Sequence, residues 1–182
     1  EASGGKSVVI IEKGEPKACN IVTSCEGKGK TFIMFSDDLD KALATFVLAN
    51  GAAATGQKVT IFFTFWGLNV IKKLHKPKTE KDIFGKMFGM MLPSSSKKLK
   101  LSKMSMGGIG GKMMRYIMNK KGIDSLESLR QQALENGVEF IACQMSMDVM
   151  GVKQEELLDE VTIGGVATYM ERADNANVNL FI

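Results

Sequence analysis

The segment from Phe140 to Gly151 combines a cysteine with several methionines at the end of an apolar run. Val138 to Ala142 is rich in β-forming residues and follows Glu135-Asn136-Gly137, which is typical of a helix end and a turn. Cys143 is therefore predicted at the carboxyl end of a buried strand, where α/β proteins gather their chemistry. A thiol facing the amides of a following helix would be stabilised as the nucleophilic thiolate. The alternative is an inert thiol, since free cysteine is among the most buried residue types.

The methionines raise metal binding as a second possible chemistry. Soft sulfur ligands suited to Cu(I) are spaced along the chain at Cys143, Met145, Met147 and Met150, and again at Met104 and Met106. Methionine also makes adaptable apolar surfaces. We favour adaptable packing as the explanation for the 13 methionines and predict no metal site.

Other catalytic patterns are weak. The single histidine, His75, and three cysteines are too few for a usual zinc module or a disulfide framework, and Cys19 and Cys25 lack a CxxC spacing. Gly27-Lys28-Gly29-Lys30-Thr31 precedes a strand instead of following one, so it does not form a phosphate loop. No GxGxxG fingerprint follows a strand, and we predict no cofactor. Asp37 and Asp38 are explained as helix-capping residues.

The elements that would position Cys143 alternate between strand and helix. Thr31 to Phe35 predicts a buried strand, Leu39 to Thr55 a helix, and Lys58 to Thr64 a second strand. Strand, helix and strand within 35 residues form a βαβ unit, which requires a parallel sheet. Further segments extend the alternation: a helix through Val70 and Leu74, a helix over 125–134, a short helix over 154–158, a strand over 161–163, a helix over 166–173 and a strand over 177–182. This pattern predicts an α/β domain with about five strands.

Residues 78–122 form an insertion longer than a usual α/β connection. The segment carries Phe84, Met87, Phe88, Met90 and Met91 at helical spacing, a basic stretch over 97–103, glycines over 107–111 and an amphipathic helix over 112–121. A mobile lid or an oligomer-contact arm is the favoured interpretation. A membrane-surface or nucleic-acid-binding arm is the alternative.

Residues 1–29 differ from the rest and predict one strand, Ser7 to Lys13, ended by Gly14-Glu15-Pro16 and followed by a linker. A formal net charge of +4 does not by itself indicate a nucleic-acid partner. No secretory signal is visible, and the longest apolar run, Val59 to Leu68, is half of what a membrane span needs. The cysteine usage favours a reducing cytoplasm.

Four segments together resemble one known family. They are Phe35-Ser36-Asp37-Asp38-Leu39-Asp40-Lys41-Ala42, Ala49-Asn50-Gly51-Ala52-Ala53, Phe62-Phe63-Thr64-Phe65-Trp66-Gly67-Leu68 and Ala142-Cys143-Gln144-Met145-Ser146-Met147. Through them, residues 30–182 resemble the DsrE/DsrF-like sulfur-relay family, most closely its larger, methionine-rich branch. Residues 1–29 lie outside this match and resemble the tail of a TusA-like sulfur-carrier domain. Such a domain precedes a DsrE-like domain in some flavin-dependent disulfide reductase fusions, and the resemblance implies that this chain is the C-terminal domain of such a fusion.

The resemblance implies a three-layer α/β/α domain with a five-stranded, mainly parallel sheet, assembled as a homo-oligomer. It also implies a single cysteine, Cys143, that carries sulfane sulfur as a persulfide. The partners would be sulfur donor and acceptor proteins or low-molecular-weight thiols. We expect Asp37, Trp66, Gln144 and Met145 to lie near the pocket, with no chemical step assigned to them. The rival interpretation is a non-catalytic binding or regulatory module whose cysteine is structural and which binds a partner protein or Cu(I).

Overall fold

A computed structural model describes residues 7–12, 15–20, 29–74, 93, 95–103 and 108–182 of the 182-residue chain. Within these ranges, strands and helices alternate from residue 29 onward. The strands are β1 (Ser7–Glu12), β2 (Glu15–Asn20), β3 (Gly29–Met34), β4 (Val59–Phe63), β5 (Glu139–Cys143), β6 (Thr162–Gly164) and β7 (Ala176–Phe181). The α-helices are α1 (Leu39–Ala54), α2 (Ile109–Lys120), α3 (Leu126–Glu135), α4 (Gln144–Met150) and α5 (Val166–Asp174). Short 3-10 helices cover Phe65–Ile71, Ser96–Lys98 and Gln154–Glu156.

Five strands form one sheet in the order β6-β5-β4-β3-β7, and every neighbouring pair is parallel. The chain moves in one direction from β3 through β6 and then returns across the sheet to β7. Right-handed crossovers made in one direction place their helices on one face, and a return crossover places its helix on the other. This explains why α1 and α3 lie on one face and α5 on the other. The predicted α/β fold with a five-stranded sheet is confirmed.

The face covered by α1 and α3 holds the larger core. Alternate residues of the central strands point into it because the side-chain period of a strand is two residues. From α1, Leu39, Ala42, Phe46 and Ala49 pack against them. The strand residues in this core are Phe32, Met34, Val59, Ile61, Phe63, Phe140 and Ala142.

The α5 face holds a smaller cluster formed by Phe62, Ile141, Cys143 and Tyr169. At the amino ends of the strands this face becomes polar. Arg172 of α5 donates from Nε and Nη2 to the Glu139 carboxylate at 2.9 and 3.2 Å, and Thr60 donates to the same carboxylate at 2.9 Å. Opposite charge and hydrogen bonding hold the pKa of Glu139 below its usual value, with the Arg172 hydrogen bond as the largest cause.

The structure corrects three local predictions. Residues 15–20, expected as a break and a linker, form β2, which pairs antiparallel with β1 as a hairpin. The helix expected through Val70 and Leu74 begins at once after β4, as the 3-10 helix Phe65–Ile71. The helix expected from Lys112 begins at Ile109, and its glycines 110 and 111 are buried within it.

Several predicted features lie outside the described residues. His75, Met104 and Met106 are among them, and so is the apolar stretch from Phe84 to Met91. In the described ranges, the helices are all too short or too polar to cross a lipid bilayer.

Candidate functional site

Cys143 is the last residue of β5 and directly precedes α4, as the sequence predicted. Its neighbour in the sheet on one side is β4, and on the other side Cys143 pairs with Gly164 of β6. The side chain points to the α5 face and is only 2% exposed among Phe62, Ile141 and Tyr169. The thiol therefore lies at the carboxyl edge of the sheet but beneath its surface.

Two hydroxyl groups meet next to this strand end. Thr64 follows β4, Ser146 lies in the first turn of α4, and their Oγ atoms are 2.8 Å apart. Both side chains are buried. This hydrogen bond joins the end of β4 to the helix that starts at Cys143, so it fixes where α4 begins relative to the sheet.

The chain turns sharply where β4 ends. Phe65 has a φ of 47°, which is unfavourable for a residue other than glycine. Its ring lies 5.4 Å from the ring of Phe35, and the next turn packs so closely that the Gly67 amide donates to Phe35 O at 2.8 Å. These contacts hold the Phe65–Ile71 helix across the carboxyl ends of β3 and β4.

Asp37 follows β3 and is held by that same 3-10 helix. Asn69, which is fully buried, donates from Nδ2 to Asp37 Oδ2 at 2.9 Å. Asn69 Oδ1 has no hydrogen-bond partner in the part of the chain that the structure describes. Burial raises the pKa of Asp37 and the charge of Asp38 adds to this effect, while the Asn69 hydrogen bond and Lys72 oppose it.

Three further predicted pocket residues lie at the surface. Trp66 is 42% exposed in the Phe65–Ile71 helix. Gln144 and Met145 are exposed in the first turn of α4, where Gln144 donates to Asp148 Oδ1 at 3.0 Å. All the predicted site residues thus lie at the carboxyl ends of β3, β4 and β5. Asp37 pairs with Asn69, whereas Cys143 packs in the cluster on the α5 face.

Among the described residues, the sulfur atoms considered as alternative Cu(I) ligands do not converge. Cys143 belongs to the cluster on the α5 face, whereas Met147 and Met150 are buried in the larger core and Met145 is exposed. Side chains that point into separate clusters cannot share one metal ion. The methionines of α4 therefore act as packing residues or surface residues.

Sequence reasoning missed the partners of the predicted residues. Asn69 and Thr64 lie within apolar stretches of the sequence, and Tyr169 is far along the sequence from Cys143, with which it shares a cluster. The available signal was a polar Asn69 between Leu68 and Val70, because a polar side chain in an apolar segment needs a partner when buried.

The family model for the DsrE/DsrF/DrsH-like family matches residues 27–181. The chain is 44% identical to the uncharacterized protein YrkE of Bacillus subtilis (strain 168) over 155 residues, which are 85% of this chain and 97% of that protein. It is 37% identical to the sulfur carrier protein DsrE2 of Allochromatium vinosum over 161 residues, which are 86% of this chain and 99% of that protein.

A solved structure shows the same fold at low sequence identity. The ychN protein from E. coli superposes with a TM-score of 0.51 at 9% identity, over 85% of this chain and 99% of that one. The parallel sheet, its two covered faces and the match over residues 27–181 agree, and the chain belongs to the DsrE/DsrF/DrsH-like family.

Proposed function

We propose that this protein is a sulfur-relay protein that carries sulfane sulfur as a persulfide on Cys143. The observation that carries the proposal is the position of Cys143 at the carboxyl end of β5, within a chain 37% identical to a sulfur carrier protein. A cysteine at the edge where α/β sheets bind their ligands is suited to exchange with a partner. Sulfur donors and acceptors are then proteins or small thiols that approach this edge.

The transfer consists of two thiolate exchanges. The Cys143 thiolate attacks the outer sulfur of a donor persulfide, so that a new S–S bond forms, the donor's S–S bond breaks and the donor leaves as a thiolate. An acceptor thiolate then attacks the same sulfur and releases Cys143 as a thiolate. Each step replaces one S–S bond by another, so no oxidant or reductant is consumed.

Access to the thiol requires a local opening. Cys143 is buried, but it directly precedes Gln144 and Met145, which are exposed, and α4 has only seven residues. Local openings cost little free energy where few apolar contacts are broken. Because the thiol points to the α5 face, the opening has to move Tyr169 of α5 as well as the first turn of α4, where the buried Ser146 hydroxyl is bonded to Thr64.

Intact mass spectrometry of the native protein after exposure to a small-molecule persulfide tests the proposal. We expect the mass to rise by one sulfur atom that dithiothreitol removes, and peptide mapping to place it on Cys143. Cys143→Ser should abolish the gain, whereas Cys19→Ser and Cys25→Ser should retain it. Full loading of the Cys143→Ser variant would contradict the assignment.

The burial of Cys143 also supports a second candidate function, a binding or regulatory module without turnover. At 2% exposure among Phe62, Ile141 and Tyr169, the thiol packs as a structural residue would. Alkylation separates the two candidates. A relay cysteine reacts with iodoacetamide in the folded protein, whereas a structural cysteine reacts only when denaturant unfolds the domain.

A further inference from the structure

Basic charge is concentrated in one part of the chain. Eight of its 24 Lys and Arg residues lie between Lys97 and Lys121, a span without Asp or Glu. The rest of the chain has 16 basic residues against 20 acidic ones, so its net charge is negative although the whole chain is positive. This concentration of positive charge in one part of the chain indicates an anionic partner.

Helix α2 lies at the end of this basic span, and its inward side is defined by contacts. Gly110, Gly111 and Met118 are buried, and a Cβ on Gly111 would lie 3.3 Å from Leu99 O. Arg115 donates from Nη2 to Ser96 O at 3.0 Å and lies 3.6 Å from the Glu127 carboxylate. These contacts fix the rotation of α2 about its axis.

The opposite side of α2 is apolar and exposed. We call it the α2 outer face and define it by Ile109, Met113, Tyr116 and Ile117, whose spacing of three and four residues forms a single stripe. Ile109 is 65% exposed and Tyr116 is 68% exposed. Lys112, Lys120 and Lys121 lie beside or within the stripe and are also exposed.

The segment before α2 carries further lysines. Asp40 of α1 accepts hydrogen bonds from the backbone and the hydroxyl of Ser102, and Leu39 N donates to Lys100 O at 2.7 Å. The segment is therefore attached to α1, while four of its lysines remain exposed: Lys97, Lys98, Lys100 and Lys103.

We propose that the α2 outer face binds the surface of an anionic lipid membrane. An exposed aliphatic and aromatic stripe bordered by lysines is the composition of helices that lie in the headgroup region, where apolar side chains enter the acyl boundary and lysines reach anionic phosphates. An acidic protein partner would account for the lysines, but lipid accounts for the stripe and the charge together. This binding is independent of the sulfur-relay proposal, because Cys143 lies outside α2.

Vesicle co-sedimentation of the full chain tests this inference. We expect binding to vesicles of equal parts phosphatidylcholine and phosphatidylglycerol, little binding to phosphatidylcholine alone, and release at high salt, because salt screens the lysines. The double variant Ile109→Gln/Tyr116→Gln should weaken binding, and Lys120→Gln/Lys121→Gln should weaken it on the order of tenfold.

The matched control is Val47→Gln/Leu48→Gln in α1, which removes two similarly exposed apolar side chains from a different helix. This variant should bind vesicles as the unaltered protein does, and circular dichroism checks that all variants are folded. Equal binding to both vesicle types, no binding, or equal losses in the α2 and α1 variants would overturn the proposal. A fall in oligomeric mass of the α2 variant without vesicle binding would instead identify a second copy as the partner and overturn it as well.

Discussion

At the scale of single residues, the two carboxyl-edge groups Cys143 and Asp37 have different surroundings. Cys143 is enclosed by aliphatic and aromatic side chains, whereas Asp37 is half-buried and bonded to the amide of Asn69. Burial is the largest influence on Asp37 and it disfavours the charged carboxylate. Burial therefore makes the charged form of Asp37 unfavourable at the edge of the sheet. Its hydrogen bond to Asn69 holds the Phe65–Ile71 helix in position, and this role explains Asp37 better than helix capping does.

Asp37→Asn should stabilise the protein at neutral pH. The pKa of Asp37 is higher in the folded protein than in the unfolded chain, so its ionisation lowers stability above the folded pKa, and this loss disappears below the ordinary value of 3.8. Asparagine keeps an acceptor for Asn69 Nδ2 without the charge. We expect a gain below about 1 kcal/mol, because solvent screens a half-buried carboxyl.

Urea denaturation of both proteins at neutral pH and at progressively lower pH measures this effect. The gain should be present at neutral pH and shrink as the pH approaches 3.8. An equal gain at every pH would show that the substitution acts through packing and not through the charge of Asp37.

At the scale of elements, the Phe65–Ile71 helix depends on one glycine. The Gly67 amide donates to Phe35 O at 2.8 Å and to Thr64 O at 3.0 Å, and a Cβ on Gly67 would lie 2.0 Å from Met34 O. Because that obstacle is backbone, no side-chain rotation can relieve it. The close approach of this helix to β3 is therefore possible only with glycine at this position.

Gly67→Ala should destabilise the domain by about 1–3 kcal/mol or more, the usual cost of overpacking. Gly51→Ala is the matched control, since Gly51 lies in α1 with no atom within 4 Å of an added Cβ. That substitution should stabilise the protein by about 0.5–1 kcal/mol, because alanine favours the helix. Thermal denaturation of the two variants measures both effects, and a Gly67→Ala variant as stable as the unaltered protein would contradict the packing argument.

At the scale of the whole molecule, the two faces of the sheet are covered unequally. In the described ranges α5 packs against β3 from the side of Tyr169, and apolar side chains remain exposed on α5 and on the edge strand β7. They are Val166, Met170, Leu180 and Phe181. An exposed apolar region at the edge of a sheet is typical of a surface that contacts another protein.

We expect this region to form the homo-oligomer contact that the family resemblance implies. Phe181 is 68% exposed, so Phe181→Ser should lower the oligomeric mass with little change in stability. Size-exclusion chromatography with light scattering measures the mass. Val47→Ser on α1 is the control, and an unchanged mass for Phe181→Ser would place the contact elsewhere.

Much of the fold was predictable because its determinants are local. Ser125 Oγ accepts a hydrogen bond from Ser128 N at 3.1 Å, so the cap of α3 is made by residues only three positions apart. Apolar runs predicted β3, β4 and β5, and their alternation with helices required a parallel sheet. The position of Cys143 at a strand end followed from the same local pattern.

The amino-acid sequence by itself thus determined the order of the elements and the edge at which Cys143 and Asp37 lie. Only the tertiary structure decided that Cys143 is buried in one cluster with Tyr169, that Asp37 bonds to Asn69, and that Gly67 must approach Met34. Each of these contacts joins residues 26 to 33 positions apart along the chain. Periodicity and capping report on neighbours within a few residues, whereas such contacts depend on how strands and helices pack in space.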